Sequence, residues 1–264
     1  MTHGQTVLGI DAAWTLTRPS GVALARVQDG VWRLVDVAAS NGDFCANRTT
    51  HPPASAAALI EACESRCGQR PAVVAVDMPL AKGPIVARRE ADNAVSRAYG
   101  ARHCSTHTPS ALRPGRISDD LTAGFKEVGY RLATERLATP ALIEVYPHPA
   151  LVELTGAPRR LPYKVSKIRN YWPDLAPAAR RVAVIDVWAQ IVTALEGQIE
   201  GVVVALPLPS ATAPGRDLKA FEDQLDAVVC AWSGICALEG RARPFGDTEA
   251  AVWIPARAAA LEPA

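Results

Sequence analysis

Four aspartates carry the chemistry this sequence most readily supports. Asp11 closes the apolar run 7–10, Asp77 closes the run 71–76, and Asp223 and Asp226 stand at the start of the last long helical pattern. A short apolar run ending in an acid reads as a buried strand whose last residue emerges at the sheet edge. Asp223 and Asp226, three residues apart on a helix, share a face. Adjacent strands lie about 4.8 Å apart, so carboxylates at equivalent strand tips can share one divalent ion. Close carboxylates repel one another unless a cation neutralises them. The spacing therefore predicts Mg²⁺ or Mn²⁺ held by Asp11, Asp77, Asp223 and Asp226, with Glu144, near the end of a further strand, as an accessory ligand. Two such ions would activate water for in-line attack on a phosphodiester and stabilise the leaving 3′ oxygen. Each acid also has a plainer explanation. Strand-tip acids are common, and Glu222 and Asp223 would serve as caps at a helix N-terminus. Asp226 resists that explanation, because it lies a turn further in beside the apolar stretch AVVCAW, where an unpaired charge is costly.

Cations gather in two segments. Residues 82–116 hold seven Lys/Arg against two acids, and residues 158–181 seven against one, although the net charge is only +1. Such local basic runs suit a phosphate-facing surface, and equally suit solvated loops. Arg88, Arg89, Asp92 and Arg97 follow Asp77 and are candidates for a second polar layer that touches substrate; Arg88 and Asp92 also have the i,i+4 spacing of a surface ion pair. Lys164, Lys167 and Arg169 beside Tyr163, Tyr171 and Trp172 combine charge with stacking surface, as grooves for single-stranded nucleic acid do. For Trp172 a core anchor is the preferred reading, as it is for Trp14, Trp32, Trp188, Trp232 and Trp253.

The elements that must position these groups read as alternating strands and helices. Strand 7–10 is followed by a hairpin, strands 20–27 and 31–37, turning at Asp29-Gly30. Then come a helix at 55–67 stopped by Gly68, the strand ending at Asp77, a helix at 86–99, a loop at 105–120, a helix near 121–138, a strand at 142–146 stopped by Pro147 and Pro149, helices at 177–196 and 221–238, and a terminal strand at 251–254. This order predicts an α/β architecture with a mixed sheet. With five strands in the order 3-2-1-4-5, Asp11 and Asp77 flank the crevice where such sheets bind ligands. A single domain over residues 1–264 is expected, with insertions around 100–140 and 156–176.

Gly9-Ile-Asp11, Val76-Asp77-Met-Pro79-Leu80, Arg89-x-x-Asp92 with Arg97 and Gly100, Glu144-Val-Tyr-Pro147 and Asp223-Gln-Leu-Asp226-Ala resemble, in that order and over nearly the whole chain, the predicted RNase H-like nuclease family catalogued as domain of unknown function 429. The resemblance implies a ribonuclease H-like fold, similar in acidic pattern to resolvases of the RuvC type. It also implies metal binding by Asp11, Asp77, Asp223 and Asp226, with Asp77 standing where resolvase relatives usually carry Glu.

Composition bounds the rest. With 264 residues, 49% hydrophobic and 21% charged, the chain is neither disordered nor fibrous. No stretch is long and apolar enough for a membrane span, and the start lacks the pattern of a secretory signal, so a cytoplasmic location is expected. Six cysteines without close CxxC pairs are expected to be free thiols. His103 and Cys104 lack a second pair that would complete a zinc site. The expected function is divalent-metal-dependent hydrolysis of nucleic acid. The alternatives are a non-catalytic module of the same fold binding nucleic acid or protein, and a phosphotransfer enzyme of the actin-like superfamily. Against the last stand the absence of a duplicated lobe and of any GxxxxGK or GxGxxG run.

Overall fold

A computed structural model describes residues 5–52 and 55–256. The first four residues, on which the reading of the N-terminal start partly rests, lie outside the described residues. Along the chain the strands are β1 (Thr6–Asp11), β2 (Gly21–Gln28), β3 (Val31–Ala38), β4 (Val73–Val76), β5 (Arg131–Leu132), β6 (Ala141–Val145), β7 (Ala242–Gly246) and β8 (Ala251–Pro255). The helices are α1 (Asn41–Cys45), α2 (Ala56–Cys67), α3 (Glu90–Tyr99), α4 (Arg116–Glu127), α5 (Pro147–Thr155), α6 (Ile168–Tyr171), α7 (Pro177–Glu196), α8 (Val202–Ala205) and α9 (Gly215–Leu238).

One mixed sheet runs in the order β3-β2-β1-β4-β6-β8-β7, with β5 pairing the part of β6 that β8 leaves open. The expected run of five is present as β3-β2-β1-β4-β6, but the sheet has eight strands. β7 folds back antiparallel on β8, and the two-residue β5 follows Gly129, whose φ of +94° ends the helical course that the sequence pattern carried on to residue 138. The hairpin turn is as expected: Asp29 and Gly30 both have positive φ, 52° and 80°. Ser55 caps α2 by accepting from the Ala58 amide, and Gly68 closes it in the left-handed conformation. Pro147, read as a strand stop, is also the first residue of α5, where its fixed φ suits a helix start and its missing N–H costs nothing.

Strand alternation divides the core. Val7, Val73, Ala75 and Ile143 face α5, α7 and α9, whereas Leu8, Ile10, Val74, Val76 and Leu142 pack with α2 and its neighbours. Two glycines set how close α9 comes to the sheet. A Cβ on Gly9 would stand 2.2 Å from the Ala227 carbonyl oxygen, and one on Gly21 2.1 Å from that of Asp223. Only a residue without a side chain permits that approach.

Candidate active site

Asp11 follows Ile10 on β1 and Asp77 follows Val76 at the end of β4; Ile10 and Val76 are paired in parallel register, and the Asp77 amide donates to the Ile10 carbonyl at 2.9 Å. Period two puts both carboxylates on the α9 face, side by side at the carboxyl end of the two strands. Asp226 comes to the same place from α9, and is completely buried. Asp223 lies one turn nearer the helix start, and Asp11, Asp77 and Asp223 all line one cavity of about 1170 Å³.

Glu144 is elsewhere. It is paired in register with Val76, so alternation turns it to the opposite face from Asp11 and Asp77. There both of its oxygens are engaged: Arg89 donates to Oε2 at 2.6 Å and to Oε1 at 2.8 Å, and the Leu80 amide to Oε2 at 2.7 Å. Arg89 also holds Asp92 at 2.9 Å and the Leu80 carbonyl at 2.7 Å. Arg89, Asp92 and Glu144 thus form a buried internal network that fastens the 80–89 loop to the sheet. Helix α3 begins at Glu90, later than the sequence pattern suggested, because the Asp92 carboxylate accepts from the Arg89 amide and caps the helix. Arg88 accordingly makes no ion pair with Asp92. It donates instead to Asn93 Oδ1, the Asp92 carbonyl and Ser96 Oγ. Arg97 pairs with Glu90 on the surface, and Lys167 is exposed.

Helix α9 begins at Gly215 rather than near Phe221, so Glu222 and Asp223 lie inside it and cannot cap it. Both are buried, and both are met by lysines. Lys219 Nζ lies 3.0 Å from Glu222 Oε1 and in contact with Asp223 Oδ1, while Lys164 Nζ contacts Asp226 Oδ2 and stands 3.5 Å from Glu222 Oε1. Tyr163, fully buried, donates its hydroxyl to Asp226 Oδ1 at 2.7 Å and is no stacking platform. Trp172 packs on the core as expected, and so does Trp14, which also lines the cavity beneath the Arg113 guanidinium, 5.8 Å away.

Lys219 escaped the sequence reading. Its i+3 and i+4 spacing to Glu222 and Asp223 becomes informative only once the helix is known to start before it. Arg113, also on the cavity wall, belongs to the basic run 82–116, whereas Arg18 and Arg216 beside it come from segments that carried no signal of their own.

The electrostatics separate the acids. Among the described residues, no donor is bonded to the Asp11 or Asp77 carboxylate, and neither takes part in an ion pair. Burial raises Asp11 well above the usual carboxylate range, and Asp226, Asp77 and Asp223 add to the rise against the pull of Lys164. Asp77 is pushed up to about 7 by burial, with Lys164 opposing and Asp226 assisting. Asp226 is raised by burial, with Lys164 pulling it back. Burial would lower Lys164, but Asp226, Tyr163 and Glu222 overcome it and hold the ammonium charged. Two half-buried carboxylates that no donor among the described residues contacts, and that Lys164 compensates only in part, are what a hard dication satisfies. Asp11 and Asp77 are the acids that could hold one such ion. The four-acid set does not stand ready for two, since among the described residues no group of three or more acid, His or Cys side chains is gathered as a metal-binding cluster.

A family model described as Protein of unknown function (DUF429) matches residues 9–251. The chain belongs to that family. The match begins two residues before Asp11 and takes in all the acids described above. No curated protein and no solved structure matches this family member. Among its described residues no helix is long and apolar enough to cross a membrane.

Proposed function

We propose that this protein hydrolyses phosphodiester bonds in nucleic acid with the help of Mg²⁺ or Mn²⁺, on a ribonuclease H-like core. The observation that carries the reading is the pair Asp11 and Asp77: two carboxylates without donors, on adjacent parallel strands, opening on a large cavity. The succession β3-β2-β1-β4-β6, antiparallel then parallel, supports the ribonuclease H-like part; β5, β7 and β8 are additions to it. A divalent ion held there would polarise the phosphodiester and lower the pKa of a bound water. Around it Arg18, Arg113 and Arg216 line the same cavity, giving a polyanion phosphate-binding walls. Trp14 under Arg113 offers a ring face to a base.

A non-catalytic module that binds nucleic acid is the second reading. Lysine pairing of Asp223 and Asp226 favours it, because two of the four expected aspartate ligands are already neutralised.

The test is cleavage of labelled single-stranded, duplex and branched DNA and RNA with Mn²⁺, comparing wild type with Asp11→Asn and Asp77→Asn. The expected loss in either variant exceeds the roughly 10–100-fold typical of an outer-sphere partner. Metal-dependent cleavage at the wild-type rate in both variants refutes the proposal. Salt-sensitive binding without turnover in the wild type establishes the second reading.

A further inference from the structure

Resting on the proposed hydrolytic site, we infer that Lys164 is the resident cation of its α9 side: the cleft takes one divalent ion, at Asp11 and Asp77, and Asp226 is not a metal ligand. Three consecutive residues converge on two acids of α9. Tyr163 Oη bonds Asp226 Oδ1 at 2.7 Å, Lys164 Nζ contacts Asp226 Oδ2 and approaches Glu222 Oε1, and the Val165 amide donates to Glu222 Oε2 at 2.5 Å. The segment is fixed from behind as well, for the Tyr163 carbonyl accepts from Trp188 Nε1 of α7 at 2.9 Å. Both oxygens of Asp226 are therefore occupied by donors that cannot move independently of the fold.

A metal ion at Asp226 would have to displace a half-buried ammonium and a buried hydroxyl, leaving Tyr163 without its acceptor and Lys164 with only Glu222 Oε1, 3.5 Å away. That exchange is costly at Asp226, which is fully buried. The ammonium already supplies positive charge beside Asp11 and Asp77, which is the electrostatic part of what a second ion would do there. Lys219 is different in kind. It reaches Asp223 along its own helix, and its side chain is 43% exposed against 18% for Lys164. It can swing into solvent, which leaves Asp223 available as a further ligand to the single ion.

Mn²⁺ titration by calorimetry, with electron paramagnetic resonance of the loaded protein, tests this without reference to turnover. The wild type should take one Mn²⁺ per chain and give the spectrum of an isolated ion, and Asp11→Asn should weaken binding by about 10-fold or more. Lys164→Met should admit a second ion within about 4 Å of the first, giving a spin-coupled spectrum, whereas Lys164→Arg should stay at one. Two ions in the wild type overturn the inference and leave the hydrolytic reading standing. No Mn²⁺ binding in the wild type removes that reading and this one together. A Lys164→Met protein with wild-type circular dichroism that still binds one ion also overturns the inference. Should that variant fail to fold, the wild-type stoichiometry decides alone.

Discussion

Replacing Asp77 by Asn should make the metal-free protein more stable at neutral and alkaline pH. In the folded state burial holds this carboxyl at about 7, against the ordinary 3.8 of an aspartate. Between those values the folded protein binds a proton that the unfolded chain has released, so stability is greatest below pH 4 and is lost as pH rises through 7. Three pK units at 1.36 kcal/mol each put the full cost of ionising Asp77 on the order of 4 kcal/mol by pH 8. Asn removes the charge, but its amide gains no acceptor and Lys164 loses an attraction. A net gain of about 2 kcal/mol is expected at pH 8, and less than about 0.5 kcal/mol at pH 4. The assay is urea unfolding of both proteins in chelator across pH 4–8, read as the difference between them. Burial lowers His148 well below its usual value and removes stability as pH falls, but that effect is common to both proteins and cancels. Saturating Mg²⁺ should restore the wild type and leave the variant unmoved, because only a protein that binds the ion gains from it. A difference independent of pH, or one that grows toward acid, would refute the argument that desolvation of Asp77 outweighs the pull of Lys164.

Arg89→Met strands Glu144 and Asp92 in the interior and should destabilise by about 3–5 kcal/mol, measured by chemical denaturation, whereas Arg97→Ala on the surface should stay within about 0.5 kcal/mol. Gly21→Ala drives a methyl into the Asp223 carbonyl and should cost about 3 kcal/mol or more in the same assay. Because α9 must retreat, Mn²⁺ affinity should fall with it. An unchanged midpoint would show that the contact between helix and sheet is looser than 2.1 Å implies.

How much of this was legible in the sequence depended on whether the signal was local. Apolar runs ending at Asp11 and Asp77 foretold parallel strand tips, and the Asp29-Gly30 turn foretold its hairpin, because strand period and turn dihedrals are properties of a few adjacent residues. Even the exclusion of Glu144 was present in the alternation Ala141-Leu142-Ile143-Glu144, which places it with Leu142 on the face away from the aspartates. The convergence of Asp226 on those strand tips was suggested by its apolar neighbours, but how near it comes is decided by Gly9 and Gly21, whose missing side chains admit the helix.

Only tertiary structure decided which acids are open and which are spent. Lys164 lies 62 residues from Asp226, and Arg89 lies 55 from Glu144. A charged side chain in a sequence looks the same whether it awaits an ion or already holds its partner. Desolvation and counter-charge are set by what the fold brings within a few ångströms, and no spacing along the chain encodes that distance.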